Sequence, residues 1–151
     1  MRILIQIVNE ASVTIEEKEV AHIKEGILIF VGFTLTDEQE IVEKMVDKLL
    51  GLRIFPDEQG KTNLNINDVA GAILSVSQFT LYADTRKGRR PSFTNALGGD
   101  KAESLYEYFN YVLKTKHDKV ATGVFGADMQ VGLINYGPMT ILLDSEEIYG
   151  R

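Results

Sequence analysis

Cysteine and tryptophan are both missing from this 151-residue chain, and only two histidines and three prolines occur. Without cysteine there is no disulfide scaffold, cysteine nucleophile, thiolate zinc site or iron–sulfur cluster. With His22 and His117 alone, a multi-histidine metal centre is excluded in practice, so no metal and no cofactor is expected. Long apolar runs are absent too. The opening Met-Arg-Ile-Leu-Ile-Gln-Ile-Val is broken by Gln6, and no stretch approaches the roughly 18 apolar residues of a membrane span. A protein without membrane attachment, working in the cytoplasm, is the expectation. What is present is ordinary: 44% hydrophobic and 25% charged residues. That composition and length suit a single domain over residues 1–151, able to bury about 70% of the surface its unfolded chain exposes.

Charge is distributed unevenly. The net charge of -6 comes from 16 basic and 22 acidic residues. Four of the basic ones, Arg86, Lys87, Arg89 and Arg90, fall within five positions, and no acid occurs from Thr85 to Gly99. Without those four the count is 12 against 22, a balance of -10. An acidic body with one basic loop points to a localised anionic partner, although a solvated loop has the same pattern.

Hydrophobic periodicity sets the expected elements. Arg2–Val8 and Ala11–Ile15 read as two strands of a hairpin-like start. Gly26–Phe33 is short and almost continuously apolar, which suits a buried strand. Thr36 and Gln39 form a capping-box pattern ahead of a helix whose face is Ile41, Val42, Met45, Val46, Leu49 and Leu50. Arg53–Phe55 is strand-like, and Ala72–Leu81 reads as a central strand. A second helix opens near Asp100 and Glu103, with Ala102, Leu105, Tyr106, Phe109, Val112 and Leu113 on one face. Strands at Lys119–Phe125, Gln130–Asn135 and Met139–Leu143 close the chain. The strands are grouped and do not alternate with helices. The expected class is therefore α+β, a largely antiparallel, barrel-like sheet with two long amphipathic helices packed on it. An uncovered sheet face or edge makes a homodimer plausible.

Familiar catalytic arrangements are missing. There is no phosphate-binding glycine loop and no Gly-x-Ser-x-Gly elbow. His22 sits at a hairpin edge, and His117 falls at a helix end, where a solvated cation suits the dipole. Two segments stand out instead. Ser77-Gln78-Phe79-Thr80 puts two hydroxyls and an amide at the end of a buried strand, which suits a small polar ligand. Asn135-Tyr136-Gly137-Pro138-Met139-Thr140 puts Gly-Pro within strand-like sequence and marks a bend, bulge or edge. Pattern alone favours a trans bond, because only about 5–6% of X–Pro bonds in folded proteins are cis.

These segments carry a resemblance. Ser77–Phe93, Phe125-Gly126-Ala127-Asp128-Met129 and Asn135–Thr140 resemble the D-aminoacyl-tRNA (D-tyrosyl-tRNA) deacylase family. Gln6-x-Val8, Ala11-Ser12-Val13 and Leu52-Arg53-Ile54-Phe55 match it as well, so the likeness spans the chain, with Tyr136 and Met139 at variable positions. The resemblance implies hydrolysis of the ester between a D-amino acid, or mischarged glycine, and the 3′-terminal adenosine of tRNA. It implies a homodimer with a composite site, in which a cis Gly137-Pro138 from one subunit enters the pocket of the other and rejects L-amino acids. Carried over, Ser77, Gln78, Phe79 and Thr80 line the catalytic pocket. Phe125, Gly126 and Met129 lie at the adenosine, and Arg86, Lys87, Arg89 and Arg90 meet tRNA phosphates.

The missing bases suit that chemistry. The ribose 2′-hydroxyl of the ester can itself orient or activate water, leaving positioning and oxyanion stabilisation to the protein. Thr80 as direct nucleophile is the alternative, and it lacks a neighbouring base. A tRNA-end binding module without turnover, or a generic small-molecule-binding dimer, are further alternatives.

Overall fold

The computed structural model describes residues 1–150. Its elements run β1 (Arg2–Ile15), β2 (Lys18–Ile23), β3 (Gly26–Gly32), α1 (Gln39–Gly51), β4 (Phe55–Pro56), β5 (Thr62–Leu64), β6 (Ala72–Ser77), α2 (Gly99–Lys116), β7 (Val120–Thr122), β8 (Gln130–Asp144) and α3 (Ser145–Tyr149). A 3₁₀ turn occupies Phe79–Tyr82.

β1 is the hub of the six-stranded sheet. It pairs antiparallel with β2, β3 and β8, and the sheet continues from β3 through parallel pairings to β6 and β7. β2 comes back alongside β6 and β7, so the sheet nearly closes into a barrel. The two-residue period of the strands then sorts side chains between two compartments. Val13, Leu28, Leu74 and Val76 fill the barrel interior with Val8, Ala11 and Ile23. Ile3, Ile5, Ile27, Ile29 and Ile73 face outward, where Met45, Val46 and Leu49 of α1 and Phe109 and Leu113 of α2 cover them. Both faces of β3 and β6 are therefore buried, and this accounts for their unbroken apolar sequence. Each such side chain contributes about 1.5–3 kcal/mol when fully removed from water.

Several local expectations need correcting. The two N-terminal strands are one. Pairing shifts around Val8 and Ala11, where Asn9 and Glu10 are exposed, and the bulge lets a single strand turn the barrel corner. The two C-terminal strands are likewise one, β8. Pairing passes from Asn135 opposite Val8 to Thr140 opposite Gln6, so residues 136–139 are looped out of the ladder. β6 ends at Ser77, and the Phe79–Leu81 segment is a turn. Thr36 is not the cap of α1. The cap position is Glu38, without a side-chain bond, because Asp37 is buried and turned inward. Its carboxylate accepts from the Met1 ammonium at 2.8 Å and from the Thr34 N–H at 2.7 Å. His117 is not solvated. It is buried, with Nδ1 2.7 Å from Asn67 Oδ1 and Nε2 2.8 Å from the Gly71 carbonyl, and so fastens the 67–71 loop to the end of α2. His22 is at the surface, 3.6 Å from Glu10.

Candidate functional site

The end of β6 forms one wall of a cleft of about 650 Å³, within the size range of small-ligand pockets. Ser77, Gln78 and Phe79 stand on this wall, and Phe125, Gly126 and Met129 stand across from it on the β7–β8 connection. Two backbone bonds make the wall rigid: Gln78 N–H donates to the Val31 carbonyl at 2.8 Å, and Gly123 N–H to the Ser75 carbonyl at 2.9 Å. The fit is close at Gly32, where a Cβ would lie 2.7 Å from the Gln78 carbonyl oxygen. Gly126 adopts φ +77°, a left-handed turn conformation that suits glycine.

Polar groups in the cleft are few. Gln78 Nε2 donates to Thr80 Oγ1 at 2.6 Å. Thr80 is exposed and stands just beyond the cleft lining, joined to it through that bond. An amide is not a base in either orientation, so this contact orients the hydroxyl without activating it. Of the lining residues only Asp128 is ionisable, and it is exposed. The described residues contain no cluster of three or more His, Cys, Asp or Glu side chains able to hold a metal. The arrangement can bind and orient a ligand, with Gly98 and Gly99 presenting the start of α2 at its rim and no side chain capping those amides.

Part of the lining carries no signal in the sequence pattern. Phe93 packs edge-on to Phe79 with centroids 5.1 Å apart, and Phe33 and Leu97 complete the apolar side. Behind the cleft, Tyr106 donates from its hydroxyl to the Ser75 carbonyl at 2.8 Å and lies 6.0 Å from Phe125. Burial pushes its hydroxyl pKa above the usual value, so it stays a neutral donor.

Gly137 and Pro138 do not line this cleft. They sit exposed at the tip of the looped-out segment of β8, joined by a cis peptide bond, with Gly137 at φ +118°. Asn135 staples the base of the loop, donating from Nδ2 to the Ile7 carbonyl at 2.9 Å and the Met139 carbonyl at 3.0 Å. Beside it a second cleft of about 660 Å³ is lined by Ile7, Val8, Phe55, Tyr136 and Met139, among others. Large apolar side chains, Ile134, Tyr136 and Leu142, stand exposed along the same strand.

The basic loop is exposed throughout. Its base is tied by backbone bonds between Asp84 and Ser92, 2.7 and 2.9 Å in the two directions. Arg86 turns back onto Asp84 through a 2.7 Å ion pair, and hydrogen bonds from Arg86 bring the Asp84 carboxyl pKa down to about 2. Among the described residues, Lys87, Arg89 and Arg90 carry no such pair.

Comparison with known proteins places these features in context. A family model described as D-Tyr-tRNA(Tyr) deacylase matches residues 4–144. A protein of Listeria monocytogenes serotype 4a (strain HCC23), described as a D-aminoacyl-tRNA deacylase, is 54% identical over 151 residues, covering 100% of both chains. One of the same description from Thermotoga petrophila is 53% identical over 149 residues, covering 99% of this chain and 100% of the relative. Among solved structures, one described as c-Myc DNA Unwinding Element Binding Protein superposes with a TM-score of 0.92 at 40% identity, covering 96% of this chain and 99% of that one. A probable eukaryotic D-amino acid tRNA deacylase shares the fold at a TM-score of 0.84 and 18% identity, covering 94% of this chain and 97% of that one.

Proposed function

The chain belongs to the D-Tyr-tRNA(Tyr) deacylase family, and on that premise we propose that it hydrolyses the ester joining a D-amino acid to the 3′-terminal adenosine of tRNA. Glycine mischarged on tRNA is included, and the setting is the cytoplasm. The observation that carries the reading is a cleft walled by Ser77, Gln78 and Phe79 that holds orienting groups and no activated base. Water attack is then assisted by the substrate's own 2′-hydroxyl. Backbone N–H groups at the end of the wall stabilise the developing oxyanion. Phe125, Gly126 and Met129 pack at the terminal adenosine, and the free cations of the basic loop meet phosphates.

Two copies complete the site in this reading. Gly137-Pro138 of one chain enters the cleft of its partner and leaves room at the substrate α-carbon for hydrogen or a D side chain only. Exclusion of the L side chain is the selecting step, so glycine is accepted. The reading draws support from the exposed position of the loop, outside its own chain's cleft, and from the exposed apolar residues beside it.

Release of free amino acid from D-tyrosyl- and L-tyrosyl-tRNA tests the activity. D-Tyrosyl-tRNA is expected to be cleaved and the L form spared; binding without release would leave a tRNA-end binding module. Thr80→Ala is expected to cost no more than about tenfold, against the roughly 10⁶-fold loss on removing a triad nucleophile. A substrate ending in 2′-deoxyadenosine is expected to react poorly. Loss of turnover in Thr80→Ala with normal reaction of the deoxy substrate would make Thr80 the nucleophile.

A further inference from the structure

The turn that carries Phe79 and Thr80 has no buried residue, so its apolar contacts, Phe79 against Phe93 and Leu81 against Gly32, hold it only in part. Its own backbone bonds, Leu81 N–H to the Gln78 carbonyl and Ala83 N–H to the Thr80 carbonyl, fix its shape and not its position. Position comes from outside. At the near end, Gln78 N–H is tied to Val31. At the far end a single side chain reaches across from the first residue of β1. Arg2 donates from Nη1 to the Leu81 carbonyl at 2.7 Å and from Nε to Asp144 Oδ2 at 2.7 Å. Its guanidinium carbon also lies 4.6 Å from the centroid of the Tyr82 ring.

We propose that Arg2 is a positioning residue for the cleft, fastening the 79–82 turn to the sheet and so fixing how far the Phe79 wall stands from the substrate α-carbon. The proposal rests on the deacylase reading above. Arg2 itself does not line the cleft. Its backbone is anchored, since Arg2 is paired with Gly32 of β3 and Asp144 of β8 at the sheet's end. Gly32 is also the residue against which the turn packs, its missing Cβ leaving room for the Gln78 carbonyl and for Leu81. Arginine suits the task because one planar fork meets two acceptors in different directions while its face covers a ring. A lysine in its place keeps the charge opposite Asp144 but cannot hold Leu81 and Tyr82 at once.

The test compares wild type with Arg2→Lys and Tyr82→Leu on D-tyrosyl- and L-tyrosyl-tRNA. Displacement of reacting groups by about 1 Å can cost on the order of a hundredfold. The expected result is a kcat for the D substrate about tenfold lower with little change in KM, and a D-to-L rate ratio lowered by about tenfold in Arg2→Lys. Tyr82→Leu, which leaves the Asp144 pair intact, is expected to move the ratio the same way by less. A loss of folded protein lowers both rates together and leaves their ratio unchanged, so the ratio reports placement of the wall. An unchanged ratio in both variants overturns the proposal, and if Arg2→Lys does not fold, Tyr82→Leu decides. A wild-type enzyme that does not distinguish the two substrates overturns the deacylase reading first, and this proposal with it.

Discussion

The wall at Ser77–Phe79 and the loop at Tyr136–Met139 are supported in opposite ways. The wall continues a strand paired in parallel on both sides, β3 and β7, and inherits the rigidity of the sheet. The loop is excluded from its own ladder, stands exposed, and is stapled by one asparagine. A groove that must hold a ligand in register belongs in the first setting. A projection meant to enter something else belongs in the second. The contrast teaches that the two motifs are parts of one site only if a second copy of the chain supplies the missing half.

The strongest test separates the halves. Gln78→Ala alters the wall and Gly137→Val the loop, where φ +118° strains any L side chain and a new Cβ would lie only 3.0 Å from the Met139 nitrogen. Each variant alone is expected to lose about a hundredfold or more in D-tyrosyl-tRNA hydrolysis. If the chain forms a dimer in which each site takes one half from each copy, co-expression in equal amounts yields mixed dimers with one intact site, and about a quarter of wild-type activity returns. Absence of recovery would put both motifs to work within one chain. A smaller effect concerns the basic loop at the rim. Arg89→Ala with Arg90→Ala is expected to weaken tRNA binding and to flatten the dependence of log affinity on log salt by about two units. Arg86→Ala, whose cation is already engaged by Asp84, should change it less. An unchanged slope in the double variant would make this a solvated loop.

The smallest effect is a titration. The Asp84 carboxyl, held near a pKa of about 2 by Arg86, is depressed in the folded state. The pair's contribution is therefore present above the ordinary aspartate range and fades as pH falls from about 4 to about 2. Carboxyl NMR should find Asp84 still ionised at pH 3, and Arg86→Ala should return it to the ordinary range. A normal titration in the wild type would mean that Arg86 is free to meet phosphate.

How much of this was legible depended on range along the chain. β3, β6 and both long helices were readable because their burial is periodic and their residues are neighbours in sequence. The class, α+β with a largely antiparallel sheet, followed from their order. β1 and β8 were each split in two, since Asn9–Glu10 and Gly137–Pro138 look like breaks and are bulges within continuous strands. Phe79–Leu81 has strand-forming side chains, yet the strand stops where β3 ends and pairing partners run out. α3 was missed although its signals are local: Asp144 accepts from the Glu146 N–H, and Gly150 closes the helix at φ +76°. The convergence of Ser77, Gln78, Phe79, Phe125, Gly126 and Met129 on one cleft was expected from the resemblance, not from spacing. Arg2 lies 79 residues from Leu81 and 142 from Asp144, and nothing in the neighbourhood of Arg2 in the sequence announces either partner.

The pairing of β1 with β8 also sets a timetable for synthesis. Synthesis from the N-terminal side produces the hub strand long before its longest partner, with residues 2–14 matched to 130–144. β2 and β3 can join β1 early through short connections, but one flank of the hub keeps its amides and carbonyls open until β8 emerges. A nascent chain cut short before residue 130 thus presents a long apolar strand edge, of the kind that templates aggregation and attracts chaperones. The hub strand is paired along both edges only once residues 130–144 have been made.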